Sequence, residues 1–364
     1  MVIFAVVLII LIIVVYVFLQ QPQFGRMPTG VRYEKIIKSP NYKNGAFSNL
    51  SPTPDLTDGA NYYSVMKEFF FQKSKRNQPT SVIPSAKIDL KSLDPQEQVA
   101  VWFGHSSYFL QIDGKKILVD PVLSGSASPV KFTTRSFAGT DRYTPDDFPA
   151  IDYLFISHDH WDHLDYETVS ELRPKVGRVI CGLGVGEHLE RWGYDGAVIE
   201  ERDWHEEIDL GGGFLVNTVP ARHFSGRGLK RNQSLWISFV LKTPSMKIFL
   251  GGDSGYDTHF EKIGEQHGPF DLVILECGQY DKSWKLIHML PDEVAQAAVD
   301  LKATRLMPVH WGKFSLAIHA WDDPILNVSE FAALKKMPMV TPMIGEKVNL
   351  NDNIEVKEWW KGIN

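Results

Sequence analysis

The feature that most constrains this chain is a six-residue stretch with the sequence HDHWDH, from His158 to His163. It directly follows Tyr153 to Ile156, an apolar run that predicts a buried strand. So many imidazoles and carboxylates on one tight loop cost free energy unless something binds them. Nitrogen and oxygen donors at this density indicate a pair of divalent metals, with zinc as the expected ion. A polar surface loop is the alternative interpretation.

Composition limits the classes of function that remain. The chain has 364 residues, of which 44% are apolar, enough for one large domain or two smaller ones. The formal net charge of −6 argues against a broadly basic surface, so no nucleic-acid partner is expected. The two cysteines, Cys181 and Cys277, lie in or near apolar runs and are expected to be buried free thiols. Metal ligands must therefore come from His, Asp and Glu.

Residues 2–19 carry no charge and consist almost entirely of Val, Ile, Leu, Phe and Ala. As a helix they would span about 27 Å, enough to cross a bilayer core. The segment has no basic n-region and no A-x-A site, which favours an uncleaved single-pass membrane anchor over a signal peptide. By the positive-inside rule, the basic residues that follow place the catalytic domain in the cytoplasm, where they can also contact anionic lipid headgroups: Arg26, Arg32, Lys35, Lys38 and Lys43.

Residues 20–97 are interpreted as a juxtamembrane segment and N-terminal extension. From about Pro40 to Leu93 the chain is rich in Pro, Asn and Ser, but it has too many aromatic residues for a disordered linker. One helix is predicted near Asn61 to Lys73. The aromatic side chains of the extension either line an apolar substrate entrance or pack in the ordinary way.

The main, catalytic domain is predicted to span residues 98–350, followed by a C-terminal tail at 351–364. The Asp113-Gly114 pair predicts a hairpin between two strands, and Pro291 fits the first position of a helix. Strands with helices interspersed predict an α/β layered sandwich. The predicted strands are 99–103, 108–112, 116–119, 153–156, 214–219, 236–241, 247–250, 272–275 and 306–309, and the predicted helices are 187–192 and 291–301.

Three further candidate ligands each follow an apolar strand. They are His223, Asp253 and His310. A single histidine after a strand is usually structural, but four sites that repeat the same pattern are hard to explain without a shared ligand.

Six short motifs lie in or around these positions: GHSS (104–107), LVDP (118–121), SHDHWDHLD (157–165), ARHF (221–224), GGDSG (251–255) and PVHWG (308–312). Together they resemble the metallo-β-lactamase fold superfamily and, within it, the branch of N-acylphosphatidylethanolamine-hydrolysing phospholipase D and its bacterial relatives. The resemblance extends from about Phe47 to Val328, and the N-terminal span departs from the soluble members. It implies an α/β fold with four layers in the order αββα.

The resemblance also implies two zinc ions as cofactors, bridged by one carboxylate. The assigned ligands are His158, His160 and His223 for the first ion, Asp162, His163 and His310 for the second, and Asp253 for both. Three protein ligands for each ion leave room for a shared water, which zinc would activate as the nucleophile. Asp162 and Asp253 are therefore expected to be catalytic.

Four other residues have expected roles near the metals. Asp120 and Asp165 are expected to orient the zinc-bound imidazoles from behind. The resemblance places His288 at the cleft as a catalytic residue that contacts phosphate or donates a proton, whereas the alternative is a surface histidine before a helix. His105 is expected to be a structural hydrogen-bonding residue.

The implied activity is that of a zinc-dependent phosphodiesterase of the phospholipase D type. A metal-bridging hydroxide would hydrolyse N-acylphosphatidylethanolamine or a related glycerophospholipid to phosphatidic acid and N-acylethanolamine. The expected partners are a phospholipid substrate and the membrane, and a homodimer is compatible with the sequence. Two alternatives remain open: a hydrolase of another ester, such as a sugar-phosphate lactone or a cyclic phosphate, and a non-catalytic metal-binding membrane protein.

Overall fold

Two β-sheets stacked face to face form the centre of the computed structural model, which describes residues 2–57, 59–352 and 356–364. The strands of these residues are β1 (Tyr42–Lys43), β2 (Ala46–Phe47), β3 (Val99–Trp102), β4 (Tyr108–Ile112), β5 (Lys115–Val119), β6 (Ile151–Ile156), β7 (Val176–Gly182), β8 (Ile199–Arg202), β9 (Glu207–Gly211), β10 (Phe214–Pro220), β11 (Ile237–Lys242), β12 (Lys247–Leu250), β13 (Leu272–Glu276), β14 (Leu306–Val309) and β15 (Lys347–Asn349). The helices are α1 (Val2–Leu19), α2 (Gly30–Ile36), α3 (Tyr62–Phe71), α4 (Tyr166–Leu172), α5 (Gly186–Arg191), α6 (His259–His267), α7 (Pro291–Asp300) and α8 (Asp323–Leu334).

The strand order decides where each strand ends. The seven-stranded sheet has the order β15-β3-β4-β5-β6-β7-β8, and its strands β5 to β8 run parallel. The six-stranded sheet has the order β14-β13-β12-β11-β10-β9. Its strands β10, β12, β13 and β14 point the same way, because β11 is antiparallel to both β10 and β12. The loops that follow these strands therefore meet at one edge of each sheet, where α/β proteins commonly bind ligands.

Apolar side chains from both sheets fill the space between them. Phe155 of β6 and Phe239 of β11 are fully buried, and their ring centroids lie 4.9 Å apart. Burial of a side chain of this size contributes about 1.5–3 kcal/mol. On the outer face of the first sheet, Val101 and Leu154 pack with Leu189 of α5. Helices α4 and α5 cover that sheet and α6 to α8 cover the other, so the predicted four-layer αββα fold is confirmed.

The Asp113-Gly114 pair turns the chain between β4 and β5, as predicted. Both residues have positive φ angles, 48° and 75°, which a two-residue hairpin turn of this kind requires. The pairing runs from Ile112 opposite Lys115 to the far end of both strands, and β5 ends directly before Asp120.

Helix α1 extends away from the sandwich, since none of its residues is buried. Among the described residues it is the one helix that is long and apolar enough to cross a membrane, with a mean hydropathy of 3.6, although an N-terminal signal sequence would pass the same test. Its end is attached to the domain by aromatic contacts. The Phe24 ring lies 5.1 Å from that of Phe18 and 5.2 Å from that of Trp161.

The extension that follows α1 is bound to the sandwich through charged groups. Arg32 of α2 forms ion pairs with the buried carboxylates of Glu187 and Glu201. Arg26 also pairs with Glu187 at 2.7 Å, and the Lys35 ammonium donates to the backbone carbonyl of Glu201 at 2.9 Å. Three of the five basic residues expected to contact lipid headgroups are thus held by groups of the protein itself.

The helix predicted near Asn61 is α3. Asn61 stabilises its start, because the side-chain oxygen accepts a hydrogen bond from the backbone N–H of Ser64 at 2.9 Å. No residue of α3 is buried, and Tyr63 and Phe71 are 80% and 83% exposed. The aromatic residues of this helix therefore do not belong to the core.

The described part of the C-terminal tail packs on the domain. Trp360 is buried, and the Trp359 ring stacks 5.2 Å from that of Trp311. Residues 353–355 of the predicted tail lie outside the described residues. The two cysteines, Cys181 and Cys277, are buried free thiols, as predicted.

Candidate metal centre

The predicted ligands lie in loops that directly follow strands at one edge of the sandwich. The loop after β6 carries the HDHWDH stretch, and His223, Asp253 and His310 follow β10, β12 and β14. The two sheets meet at this edge, because the backbone N–H of Ile237 donates to the carbonyl of Ser157 at 3.0 Å. The topology therefore gathers donors that are far apart in sequence.

A first cluster contains His158, His160, His223 and Asp253, with one donor atom of each residue within 4.8 Å of the others. The His160 Nδ1 atom is 2.9 Å from His158 Nε2 and 3.2 Å from His223 Nε2. His223 is held in place by its other nitrogen, since Nδ1 lies 2.8 Å from the carbonyl oxygen of Ile287. These are the residues assigned to the first metal ion, and the structure brings all of them together.

A second cluster contains Asp162, His163 and His310, the residues assigned to the second ion, together with His105. The His105 Nε2 atom hydrogen bonds with the Asp162 carboxylate at 2.8 Å. His105 is completely buried and has a positive φ of 52°. Its contact with Asp162 and its place in this cluster bring it closer to the centre than sequence alone indicated.

The Asp253 carboxylate lies between the two clusters. Its Oδ2 atom is 3.1 Å from His163 Nε2 and 3.7 Å from His223 Nε2, and its Oδ1 atom is 3.2 Å from His310 Nδ1. One carboxylate therefore faces imidazoles of both sets, which is the position that a bridging ligand needs.

The unpaired atoms of the centre fit a divalent cation. Four buried atoms of the two clusters lack a hydrogen-bond partner: His105 Nδ1, His160 Nε2, His163 Nε2 and Asp253 Oδ1. Buried polar atoms without a partner are costly, and imidazole nitrogen with carboxylate oxygen is a donor set that zinc accepts. The residues present thus suit metal ions at this position.

The protonation states of most donors also suit metal binding. Burial lowers the pKa of His158, His223 and His310 well below the usual value, so these imidazoles are neutral. Burial raises the pKa of Asp253, but the charges of His163, His288 and His223 and the hydrogen bond with His163 together lower the pKa to about 2. Neutral imidazoles and ionised carboxylates are the forms that bind metals.

His163 is different because it faces three carboxylates. Burial lowers the pKa of His163, but the charges of Asp253 and Asp162 and the hydrogen bond to Asp120 together raise it well above the usual value. Without a metal, the protonated ring therefore supplies a positive charge among these acids. A metal ion must displace that proton to bind.

The two aspartates expected to orient ligands have different positions. The Asp120 carboxylate accepts hydrogen bonds from the Ser157 backbone N–H and hydroxyl and lies 2.8 Å from His163 Nδ1. Asp165 instead accepts from the Ser124 backbone N–H and the Thr168 hydroxyl at the start of α4. Asp120 thus contacts a candidate ligand, whereas the hydrogen bonds of Asp165 stabilise the helix start. The expectation for Asp165 does not match its contacts.

His288 lies at the centre, against both clusters. Its ring stacks on His310 at 5.3 Å and meets the edge of His223 at 5.0 Å. Behind it lies Glu276, with 3.4 Å between Glu276 Oε1 and His288 Nδ1. Burial raises the pKa of Glu276 to about 7.

Sequence reasoning did not identify three residues that contact the candidate ligands or His288. Ser106 lies 2.8 Å from His310 Nδ1, within the GHSS motif. The Asn49 side chain bridges the backbone N–H and C=O of His223, at 3.0 and 2.8 Å. Glu276 is the third. The GHSS motif gave a signal for Ser106, but Asn49 is separated by 174 residues from its partner and has no local signal.

A cavity of about 440 Å³ opens onto the centre. Its lining combines residues of both clusters and His288 with apolar and aromatic side chains. The apolar and aromatic residues of its wall are Leu56, Tyr62, Phe224, Trp284, Ile287 and Leu316. Arg231 also lines the cavity and forms an ion pair with Asp55 at 2.7 Å.

This fold and these clusters define a metal-dependent hydrolase with the metallo-β-lactamase fold. Residues 115–311 match the model of the beta-lactamase superfamily domain, and the chain belongs to that family. It is 37% identical over 333 residues to an uncharacterized protein of Mycobacterium tuberculosis, covering 89% of this chain and 88% of that protein. It is 30% identical over 311 residues to the N-acyl-phosphatidylethanolamine-hydrolyzing phospholipase D 1 of Caenorhabditis elegans, covering 79% and 83%. Among solved structures, a metallo hydrolase of Ignicoccus hospitalis superposes with a TM-score of 0.55 at 19% identity, over 70% of this chain and 98% of that one.

The first prediction concerns Asp120. We expect Asp120→Asn to weaken metal affinity by about 10–100-fold, because the carboxylate that orients His163 is lost. Competition with a chromogenic chelator measures the affinity. Asp165→Asn is the matched control and should bind metal as the wild type does, since its side chain stabilises α4. Equal losses in both variants would contradict the assignment.

The second prediction concerns the proton that His163 releases when a metal ion binds. Because the pKa of His163 is raised in the metal-free protein, metal binding should release a proton, and the apparent affinity should rise with pH up to that pKa. Titration calorimetry in buffers of different ionisation enthalpy measures the release. A binding enthalpy that does not depend on the buffer would show that the imidazole is already neutral.

Proposed function

We propose that the chain is a zinc-dependent phosphodiesterase of the phospholipase D type. It would hydrolyse N-acylphosphatidylethanolamine or a related glycerophospholipid to phosphatidic acid and N-acylethanolamine. The observation that carries the proposal is Asp253, which lies between two histidine–aspartate clusters at the end of a cavity with an apolar wall. The phospholipase D relative from Caenorhabditis elegans supports the substrate class.

Charge favours an anionic ester. Two zinc ions would bring four positive charges, against one negative charge each from Asp162 and Asp253. When bound, the two ions would supply a hydroxide at neutral pH and stabilise the attacking and leaving oxygens of an in-line displacement. A phosphodiester is attracted to the remaining positive charge.

The protein's own residues position the substrate. The apolar wall provides contacts for an acyl chain, while the His288 ring lies against the candidate ligand His310 in the same cavity. His288 would hold a proton at a ring nitrogen and donate it to the oxygen of the departing alcohol. An apolar wall beside a polar centre is what a lipid with a charged headgroup requires.

Membrane anchoring by α1 belongs to the same proposal. The Phe18–Phe24–Trp161 contacts connect the end of α1 to the loop that carries the candidate ligands, so the anchor would fix the centre at a defined distance from the bilayer. The Arg227 guanidinium packs on Trp161 at 3.9 Å and adds to this connection. Leu229, on the loop after His223, is 85% exposed beside the end of α1. We place the domain in the cytoplasm because basic residues follow α1.

The third prediction tests the reaction. Metal-loaded protein and N-acylphosphatidylethanolamine in mixed micelles should yield phosphatidic acid and N-acylethanolamine, because water attacks phosphorus. In ¹⁸O-labelled water, mass spectrometry should find the label in phosphatidic acid. A chelator should abolish turnover, and so should Asp253→Ala, which also loses metal.

A substrate panel separates this activity from others of the same fold. A chromogenic β-lactam, a cyclic phosphate and a sugar-phosphate lactone are tested beside the lipid. Absence of lipid products at full metal occupancy, with turnover of one of the other esters, would sink the phospholipase assignment. Metal binding without turnover of any ester would favour a non-catalytic protein.

The fourth prediction concerns α1. We expect the chain to keep residues 2–19 in the membrane fraction, with an intact mass near 41.3 kDa. Ile10→Arg should reduce membrane retention, because a charge at the helix centre costs about 2.5–3.5 kcal/mol. Leu334→Arg, at an exposed position of α8, is the control and should not change it. A shortened mature chain would identify the segment as a cleaved signal.

A further inference from the structure

Glu276 is a buried acid that the reaction described above does not use. It is the last residue of β13 and is 1% exposed. Its Oε1 atom accepts a hydrogen bond from the Met289 backbone N–H at 3.0 Å and lies 3.4 Å from His288 Nδ1. Its Oε2 atom is buried without a hydrogen-bond partner.

The buried surroundings of Glu276 make its ionised carboxylate energetically unfavourable. Its chain neighbours Leu275 and Cys277 are fully buried, and so is Met289. A buried ionised group destabilises the fold unless a cation or several hydrogen bonds compensate. A neutral oxygen is enough to accept one backbone N–H, so the hydrogen bond from Met289 does not explain why an acid occupies this position. The imidazole of His288 is the group with which a charged carboxylate would interact.

The orientation of His288 fits this pairing. Its Nδ1 atom is buried and lies towards Glu276, while the residue lines the cavity. The ring of His288 stacks on that of His310 and makes an edge contact with that of His223. A carboxylate at one nitrogen of a histidine fixes which nitrogen carries hydrogen and directs the other outward. Catalytic hydrogen bonds that are slightly long without substrate commonly shorten when it binds.

We propose, on the basis of the function above, that Glu276 is a positioning residue that holds His288 as the proton donor to the leaving alcohol. Glu276 accepts the Nδ1–H bond and directs Nε2–H into the cavity. Hydroxide adds to phosphorus, and the bond between phosphorus and the alcohol oxygen breaks with its electron pair on that oxygen. The oxygen takes the proton from Nε2, while Nδ1–H stays on Glu276. Solvent returns a proton to Nε2 after product release.

Leaving-group dependence tests this role. Glu276→Gln keeps the size and the acceptor for Met289 but removes the charge. We expect kcat for an alkyl phosphodiester to fall by about 10–100-fold with little change in KM, because the alkoxide needs a proton to leave. For bis-nitrophenyl phosphate, kcat should fall by less than about twofold, since nitrophenolate leaves without a proton. Metal content should stay equal to that of the wild type.

Two comparisons separate positioning from structure. Glu201→Gln removes the charge of another buried glutamate, which binds Arg32 away from the cavity. This variant should leave kcat for both substrates unchanged. Glu276→Gln combined with His288→Gln should be no slower than His288→Gln alone, because Glu276 acts through that ring. Equal losses on both esters, or loss of metal in Glu276→Gln, would overturn the proposal.

A readout without turnover keeps this test separate from the proposed function. Nitrogen-15 spectra of the histidine rings should show hydrogen on His288 Nδ1 in the wild type and less hydrogen at that atom in Glu276→Gln. Equal amounts of hydrogen at Nδ1 in both proteins would refute the pairing even if the enzyme is active. If the wild type hydrolyses neither phosphodiester but the spectra change, the proposed reaction fails and the pairing stands.

Discussion

The contact on which this structure depends is the one between the buried Asp253 carboxylate and the imidazoles around it. Asp162 also approaches the Nε2 atom of His163 and Asp120 approaches Nδ1 of the same ring, so three acids share one small volume. Like charges this close destabilise the fold unless positive charge lies among them. In the protein without metal, protonated His163 supplies it, and two divalent ions would supply more. The centre is therefore a place where folding and metal binding are coupled.

The topology explains how these groups come together, and the extension explains how one of them is held. Parallel strands deliver four loops to one edge, but the loop after β10 also needs support from outside the sandwich. Asn49 pairs with the backbone of His223, and Arg222 donates to the Pro52 carbonyl and the Thr53 hydroxyl. Residues that precede the sandwich thus hold a candidate ligand. The extension therefore belongs to the site.

The sequence allowed prediction of the features whose cause is local. The HDHWDH stretch, the Asp113-Gly114 turn and the start of α7 at Pro291 each follow from a few neighbouring residues, and the apolar runs marked most central strands. β7, β8, β9 and β15 were not predicted, because charged residues or glycine interrupt their apolar pattern. Asp165 resembled an orienting acid by spacing alone, but its loop turns it towards α4. Glu276 and Asn49 depend on distant segments, which no local pattern reveals.

The fold is shared with proteins at 19% identity, so it cannot by itself select a substrate. The residues that could select a substrate line the cavity around the centre. Leu56 and Tyr62 come from the extension, Trp284 and Ile287 from the segment before α7, and Leu316 from the loop after β14. These residues contribute to the apolar wall, whereas the loops that follow the strands supply most of the polar groups. Because Leu56 and Tyr62 belong to the extension, changes in this segment would alter the shape of the cavity without altering the candidate metal ligands.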